Sequence, residues 1–445
     1  MARNRLRNAR GVRRRRLAAV TAAGCLALAA CGQAENLEEQ RGGDDGGGGD
    51  GPVELRFTWW GADARGDLTQ EVIDLFEEEH PDIRIQPQWT SWESYWDRLN
   101  TEAAAGDMPD IIQMDESQIA TYGQQGTLRD LGSLDGLDLS GMEDNVLQTG
   151  EVDGTLYGAP VGIALHAMAY NPEVLDQAGI EVPDDTTWTW DEFYELAGRV
   201  HDELGDEGVH GISFWSLQSA NLQNIARQRG EEVFPREGET PISRETIVEF
   251  FEQNLELVET GAVPPGDVQT EGVGLSLEQG SFATGEAAFH PLWHTQVQAY
   301  VDASGIEMGL LRQPALEPGD HRMVNKASMY WSIAESTDHP EEAATFVDFL
   351  LNDPEAARIL GVERGVPAIP EIQEVIEPDL GPTGQLSVEF AADLQDEVVP
   401  PPQVTPSGAS TWSDDYQRIA GEVLFGQITP EDAADQLLGI IEGYQ

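Results

Sequence analysis

Thiols are nearly absent from this chain of 445 residues, and so are lysines. Its two cysteines, Cys25 and Cys31, both lie near the N-terminus, and Lys326 is the only lysine. The long remainder therefore has neither a disulfide framework nor thiolate ligands for a metal. An apolar core alone must hold it together, and its length favours two domains rather than one.

Positive charge is also scarce. The sequence has 25 lysines and arginines against 81 aspartates and glutamates, which gives a net charge of −56. Such a surface repels nucleic acid, whose phosphates are bound by lysine and arginine. A strong net charge is usual in disordered chains, but eleven tryptophans and clear periodic segments argue against disorder. We interpret the excess as a solvated acidic shell around an ordinary core, as in proteins from salty surroundings.

Motifs for catalysis and cofactor binding are missing as well. The sequence contains no G-x-S-x-G nucleophile motif, no P-loop and no strand–helix dinucleotide fingerprint. His290 and His294 are four residues apart, but Pro291 lies between them and no H-E-x-x-H occurs, which argues against zinc. Among so many acids, a pair of carboxylates carries no information about glycosidase chemistry. We expect no cofactor, no metal and no enzymatic activity.

The N-terminus has the pattern of an export signal over residues 1–30. Eight arginines precede the apolar run Leu17–Ala30, which is too short to span a bilayer. The run ends in Leu28-Ala29-Ala30-Cys31, which resembles the lipobox of bacterial lipoproteins. That resemblance implies cleavage before Cys31 and lipidation of its sulfur, which would anchor the protein on the outer face of the cell membrane. An ordinary signal peptide with an incidental cysteine is the alternative, and the route of export stays open.

The segment that follows Cys31 favours a flexible linker. Residues 32–52 are rich in glycine and aspartate and have almost no apolar side chain. A linker of this composition and length has a mean reach of about 25 Å. We therefore divide the chain into a leader (1–30), a lipidated linker (31–52) and a folded body that begins at residue 53.

The folded body begins with strands and helices in alternation. Alternating apolar residues predict strands over 53–59 and 83–89, and a short apolar run predicts a third over 110–114. Apolar residues at helical spacing predict a helix over 68–79, and a second helix ends at Ala105. This order is typical of a parallel α/β unit.

Several short sequence motifs, in their order and spacing, are similar to those of a known family. They are Trp59-Trp60-Gly61, Ile73-Asp74-Leu75-Phe76-Glu77 with His80-Pro81-Asp82-Ile83-Arg84-Ile85, Ala104-Ala105-Gly106-Asp107-Met108-Pro109-Asp110-Ile111-Ile112, Gly158-Ala159-Pro160 with Ala169-Tyr170-Asn171, and the run from Pro340 to Leu350. Over roughly residues 53–440 the chain resembles the family 1 extracellular solute-binding proteins. These are the maltose-binding-protein-like receptors of ATP-binding-cassette sugar importers.

The resemblance implies an α/β fold of the periplasmic-binding-protein type. Two α/β lobes would be joined by hinge crossings, with the ligand in the cleft between the lobes. Lobe one would comprise residues 53–163 plus 309–361, and lobe two residues 164–308 plus 362–445. Glycine and proline at 158–162 and 361–367 support crossings at those points.

The resemblance also implies partners. It predicts a carbohydrate ligand and the membrane permease subunits of an importer, with ATP hydrolysed by a separate cytoplasmic subunit. We expect a monomer with no nucleic-acid partner. Two alternatives stay open: the same receptor fold could hold a quaternary ammonium osmolyte by cation–π contact, or the protein could be a surface-anchored glycoside hydrolase.

Candidate ligand-binding residues follow from the rule that ligands bind at the carboxyl ends of strands in doubly wound sheets. Sugar rings place their C–H faces on aromatic rings, and their hydroxyls bond to carboxylates, guanidinium groups and amides. Aromatic or charged side chains follow the first three strands, and others lie in polar loops. The candidates are Trp60, Arg65, Trp92, Asp115, Tyr122, Trp215, Trp293, Trp331 and Arg364. The tryptophans expected to be structural are Trp89, Trp96, Trp188 and Trp190.

Overall fold

The structure is a computed structural model that describes residues 51–61, 63–236, 238–273 and 275–444. The predicted signal peptide, Cys31 and the linker as far as Asp50 lie outside the described residues. Among the described helices, none is both long enough and apolar enough to cross a membrane.

Strands and helices alternate over most of the described chain. The strands are β1 (Val53–Trp60), β2 (Ile83–Thr90), β3 (Ile111–Met114), β4 (Glu151–Val152), β5 (Thr155–Leu156), β6 (Ala159–Pro160), β7 (Gly162–Ala164), β8 (His166–Tyr170), β9 (His210–Ile212), β10 (Glu231–Glu232), β11 (Thr240–Pro241), β12 (Ala287–Trp293), β13 (Gly309–Leu311), β14 (Lys326–Ala327), β15 (Tyr330–Ile333) and β16 (Val366–Pro367). The α-helices are α1 (Asp63–Glu79), α2 (Trp92–Ala105), α3 (Glu116–Gln124), α4 (Asp144–Leu147), α5 (Pro172–Gln177), α6 (Trp190–Leu204), α7 (Ser219–Gln228), α8 (Arg244–Glu259), α9 (Gly266–Gly272), α10 (Val297–Ser304), α11 (Pro340–Asn352), α12 (Pro354–Leu360), α13 (Pro370–Ile376), α14 (Pro382–Leu394), α15 (Trp412–Leu424) and α16 (Pro430–Tyr444).

The first lobe is built on a five-stranded sheet in the order β2-β1-β3-β15-β6. Strand β1 runs parallel to both β2 and β3, and β15 runs antiparallel to β3 and β6. Leu55, Phe57 and Trp59 on β1 alternate along the strand and are fully buried in the core of this lobe. The predicted strand–helix–strand–helix–strand beginning is confirmed.

The second lobe is built on a four-stranded sheet in the order β13-β8-β12-β9. Strand β12 pairs antiparallel with β8 and parallel with β9, and it is buried along nearly its whole length. Its core contains Phe193, Trp215 and Phe289, and helices α15 and α16 contribute Tyr416 and Leu437 to the same cluster.

A small three-stranded sheet, β14-β7-β16, lies where the chain passes from one lobe to the other. Strand β7 connects β6 of the first sheet directly to β8 of the second. A Cβ atom added at Gly162 of β7 would lie 2.7 Å from the carbonyl oxygen of Val366 on β16. The close approach of these two backbones therefore requires glycine at position 162.

Two segments lie outside the lobes to which the prediction assigned them. Strand β13, predicted for lobe one, pairs with β8 in the second sheet, with Gly309 opposite Tyr170. Helices α13 and α14, predicted for lobe two, bury Ile372 and Leu394 in the same core cluster as Phe57. After β16 pairs with β7, the chain returns to the first lobe, and it enters the second lobe only between α14 and α15.

Candidate functional site

A cavity lies between the two lobes, and we call it the main cleft. Glu116 and Tyr330 line it from the first lobe, and Asn224 and Phe234 line it from the second. Trp293 at the end of β12 and the runs 323–327 and 401–405 complete the lining. The main cleft has a cavity volume of about 140 Å³ and is open to solvent.

Two further cavities adjoin the main cleft. The second cavity, of about 420 Å³, is lined by Phe282 and His290 of the second lobe. The third, of about 230 Å³, is lined by Lys326 and Arg364. Trp293 lines all three cavities, so its side chain lies where they meet.

The position of Trp293 follows from the second sheet. Strand β12 is buried from Ala287 to Leu292 and ends at Trp293, which pairs with His166 at the start of β8. The two rings are 5.1 Å apart between centroids. The Trp293 backbone N–H donates to Oε1 of Gln296 at 3.0 Å, which holds the end of the strand. A half-buried indole is thereby presented to the space between the lobes.

Two asparagines provide polar groups in the wall of the main cleft. Asn224 on α7 and Asn325 before β14 are 5% and 6% exposed. One amide atom of each has no hydrogen-bond partner among the described residues. Buried polar groups almost always have partners, so an amide atom without one in a cavity wall is a candidate contact for a ligand.

The charged groups of the main cleft differ in their partners. Arg227 pairs with Glu232 at 3.0 Å, and Glu116 accepts a hydrogen bond from the backbone N–H of Thr405. Burial raises the pKa of Glu232, and the charge of Arg227 opposes that shift. Nζ of Lys326 lies 5.3 Å from the centroid of the Trp293 ring, and no carboxylate oxygen of the described residues lies within 4.0 Å of it.

His166 lines both the main cleft and the second cavity. Burial, together with the charge of Arg227, lowers the pKa of His166 to about 4. The imidazole is therefore neutral at pH 7, with one nitrogen that donates and one that accepts hydrogen bonds. A neutral imidazole beside Trp293 suits an uncharged hydroxyl-bearing ligand group.

Comparison with known proteins identifies the family. Residues 62–357, about two thirds of the chain, match the sequence profile of the bacterial extracellular solute-binding proteins. The chain belongs to this family. As a solute-binding protein it acts outside the cytoplasm, and its predicted two-lobed α/β fold is confirmed by the solved structures that it resembles.

The similarity of the solute-binding protein to its relatives and to solved structures extends over most of the chain. An uncharacterized lipoprotein of Streptomyces antibioticus is 27% identical over 70% of this chain and 69% of its own length. An arabinooligosaccharide-binding protein of Halalkalibacterium halodurans is 24% identical over 88% of this chain and 90% of its own. The structure of a periplasmic oligogalacturonide-binding protein from Yersinia enterocolitica aligns with a TM-score of 0.73 and 24% identity, over 88% of this chain and 100% of that one.

Of the nine candidate residues, Trp293 and Arg364 line the described cavities. Arg364 is 4% exposed and donates to Oε1 of Gln113 at 3.3 Å and to Oγ1 of Thr69 at 2.8 Å. Burial lowers the pKa of Arg364 to about 9, so the guanidinium is still charged at pH 7. In the solute-binding protein Arg364 therefore lines the third cavity and at the same time bonds to Gln113 and Thr69 of the first lobe.

Trp215 and Trp331 do not face any cavity described here, contrary to prediction. Trp215 is fully buried in the core of the second lobe, 5.4 Å from Trp190 between ring centroids. Trp331 on β15 is 1% exposed and packs edge-on against Phe57 at 5.1 Å. Trp215 is buried among apolar groups and Trp331 is buried against Phe57 and Arg364, and neither lines a described cavity.

The side chains of Tyr122 and Asp115 form hydrogen bonds within the first lobe, and neither residue lines a described cavity. Tyr122 is 1% exposed, its hydroxyl donates to Oδ1 of Asn100 at 2.9 Å, and burial raises its pKa. Asp115 caps helix α3, where its Oδ1 accepts from the backbone N–H of Ser117 at 2.9 Å. The strand-end rule located Asp115 correctly at the end of β3, but the carboxylate stabilises the helix that follows.

Trp60, Trp92 and Arg65 lie near the cleft without lining it. Trp60 and Trp92 pack edge-to-face at 4.9 Å, and Trp60 contacts the same apolar cluster as the cleft residue Tyr330. Nε of Arg65 pairs with Glu363 at 2.6 Å, and its Nη1 donates to the carbonyl oxygen of Trp60 at 3.0 Å. These three residues buttress the first-lobe side of the site.

Sequence reasoning missed most of the residues that line the main cleft. Lys326, Asn224, Asn325 and Phe234 were not candidates, and neither was the run 401–405. Two signals could have indicated them: Lys326 is the only lysine, and three consecutive prolines from Pro400 mark the crossing into α15. Among the described residues, no group of three or more metal-ligating side chains occurs.

Proposed function

We propose that the protein is an extracytoplasmic receptor that binds a carbohydrate in the main cleft and delivers it to an ATP-binding-cassette import permease. The observation that carries the proposal is a pair of amide atoms, Nδ2 of Asn224 and Oδ1 of Asn325, that have no hydrogen-bond partner among the described residues and lie in a cleft that also contains the rings of Trp293 and Phe234. Sugar hydroxyls donate and accept at such amides, and the C–H faces of the sugar pack on aromatic rings. The relatives named for arabinooligosaccharides and oligogalacturonides support the same ligand class.

In this proposal the ligand acts by holding the two lobes together. Groups from both lobes line one cavity, so a bound sugar contacts Tyr330 on one side and Phe234 on the other. The small β14-β7-β16 sheet is the natural hinge, since two of its three short strands, β7 and β14, lie on segments that pass between the lobes. The permease would recognise the closed arrangement, and no bond of the ligand would be made or broken.

The lipid anchor and the linker complete the proposal. Lipidation at Cys31 would keep the receptor on the membrane, and the linker would raise its effective concentration at the permease. The many surface carboxylates would face basic groups of that partner, and one receptor molecule would act as a monomer.

The contact between Lys326 and Trp293 argues against a quaternary ammonium ligand. A cation-binding site holds its ligand on the open faces of aromatic rings. Here the ammonium of Lys326 already lies 5.3 Å from the centroid of the Trp293 ring. The trimethylammonium group of glycine betaine would be repelled from this ring, so betaine would have to place its cation on another aromatic face even if its carboxylate bound Lys326.

Calorimetric titration of the purified protein tests the proposal. We expect at least one oligosaccharide from a panel of neutral and acidic sugars to bind, glycine betaine not to bind, and chromatography to recover the sugar intact. Asn224→Leu should weaken binding about five- to tenfold, the loss expected for one hydrogen bond. Asn254→Leu is the matched control, because Asn254 is also buried with no partners for its amide among the described residues but lies outside the cleft.

Three results would contradict the proposal. Binding of betaine without any sugar would favour the osmolyte receptor, and cleavage of the sugar would favour a hydrolase. An equal loss of affinity in Asn224→Leu and Asn254→Leu would remove the main cleft as the binding site.

A further inference from the structure

Lys326 combines a rare residue type with a central position. It is the only lysine among 445 residues, and it lines both the main cleft and the third cavity. Strand β14 places it there, because Lys326 pairs with Ala164 of β7 in the small sheet between the lobes. Its side chain is half-buried. The chain's single ammonium side chain therefore lies at the junction of the cavities.

The other charged groups around these cavities already have partners. Arg227 pairs with Glu232, Arg364 lies 3.4 Å from Glu363, and Glu116 accepts from the N–H of Thr405. Within the part of the chain that the structure describes, Nζ of Lys326 has no carboxylate within 4.0 Å. This is unusual for a chain with 81 acids, which surround most cations at the surface.

The contact with Trp293 is a cation–π contact, which supplies no hydrogen-bond acceptor to the ammonium. Closing the lobes on a ligand would remove more water from the ammonium. A buried charge without a partner is unfavourable. A ligand carboxylate at Lys326 would form a charge-assisted hydrogen bond and remove this penalty.

We infer that the ligand is an acidic saccharide, whose ring carboxylate binds Nζ of Lys326 beside Trp293. The inference rests on the proposed carbohydrate-receptor function and names the substrate class of that site. One carboxylate matches the single ammonium. A dianionic phosphate sugar fits less well, since Glu116 and Glu232 also line the main cleft and would repel the second charge.

The experiment compares a disaccharide that carries a single galacturonic acid residue with its methyl ester, which has nearly the same shape but no charge. Calorimetric titration is carried out with the wild type, Lys326→Met and Lys326→Arg. We expect the wild type to bind the acid at least about tenfold more tightly than the ester, the difference typical of a charged hydrogen bond. Lys326→Met should lose that preference while binding the ester within about twofold of the wild type, and Lys326→Arg should restore most of it.

The outcomes separate this inference from the proposed function. Equal affinity of the wild type for acid and ester, or an unchanged preference in Lys326→Met, overturns the inference and leaves the carbohydrate receptor intact. Binding of a neutral sugar panel with no binding of the acid does the same. Failure of every sugar to bind overturns both. Ester binding by Lys326→Met shows that the variant is folded, so loss of acid binding then supports the inference.

Discussion

The guanidinium carbon of Arg364 lies 5.4 Å from the centroid of the Trp331 ring. Both side chains are buried, at 4% and 1% exposure. Arg364 also donates to Gln113 and Thr69, so one residue from the loop before β16 contacts β15, β3 and α1. This contact joins the small interlobe sheet to the body of the first lobe.

Arg364→Met should destabilise the protein by about 3 kcal/mol. The change leaves the buried oxygens of Gln113 and Thr69 without their donor and removes the cation from the Trp331 ring, and each buried acceptor left unsatisfied costs about 1–3 kcal/mol. The free energy of unfolding from urea titration measures it.

Arg84→Met provides the matched control for this prediction. Arg84 pairs with Glu77 at 3.2 Å, but its side chain is 44% exposed. Exposed ion pairs contribute little, so we expect a change of no more than about 1 kcal/mol. Equal losses in the two variants would contradict the structural role given to Arg364.

Much of the fold could be predicted because its local signals agree with its tertiary structure. The alternating residues of β1 predicted a strand, and that strand buries Phe57 and Trp59. The division of segments between lobes was harder. Glycine and proline near 361–367 indicated a point where strand β16 does occur. They did not indicate that the chain then turns back into the first lobe. The lobe that a segment joins depends on strand pairing with residues far away in the sequence, and a local sequence pattern carries no information about those partners.

The candidate site was harder still to predict, because residue type does not determine burial. Trp215 and Trp293 both lie in polar sequence contexts, yet Trp215 is enclosed by the second core and Trp293 ends a strand at the cleft. Asn224 lies on a helix face that only the packing of α7 directs toward the cleft. Lys326 could have been singled out by its rarity, but its contact with Trp293 depends on the pairing of β14 with β7.

Trp293→Ala should weaken sugar binding by tenfold or more. The indole lies where the three cavities meet, and loss of a buried aromatic contact with a sugar costs at least about 1.4 kcal/mol. Trp92→Ala is the matched control, since Trp92 is 42% exposed and lines none of the described cavities. We expect that control to bind within about twofold of the wild type. If calorimetry finds the larger loss in Trp92→Ala, the aromatic cluster around Trp60 is the binding surface instead.

Gly162→Ala should destabilise the protein by about 1–3 kcal/mol, as overpacking of a tight site does. Its new methyl group would lie 2.7 Å from the Val366 carbonyl oxygen and would push β7 away from β16. Gly421→Ala is the opposite case, because position 421 lies within α15 with open space around it. Alanine there should stabilise by about 0.5–1 kcal/mol, since glycine is a poor helix residue. Thermal melts of both variants measure whether each change raises or lowers stability. A melting temperature that rises in Gly162→Ala would mean that strands β7 and β16 are not tightly packed.

Stability should fall as the pH drops from about 6.5 towards 4, because His290 and His294, like His166, are buried in the neutral form. Burial lowers the pKa of His290 to about 3 and that of His294 to about 4. In the unfolded chain each imidazole titrates near 6.5. Within that window the unfolded state binds more protons than the folded state, so each histidine contributes a slope of up to about 1.4 kcal/mol per pH unit. Above pH 7 both imidazoles are neutral in the folded and in the unfolded protein, so the stability that they contribute is fully present.

His290→Gln isolates one of these two contributions. His290 contacts the hydroxyls of Ser213 and Tyr300, so the variant should already be less stable at pH 7.5 through loss of those hydrogen bonds. Its free energy of unfolding should nevertheless fall less steeply than that of the wild type between pH 6 and 4.5, by about 1.4 kcal/mol per pH unit, because one buried neutral imidazole is gone. Urea titrations at a series of pH values give both slopes. Parallel slopes would mean that His290 takes up its proton equally well in the folded and unfolded protein, and that its buried contacts do not hold it neutral.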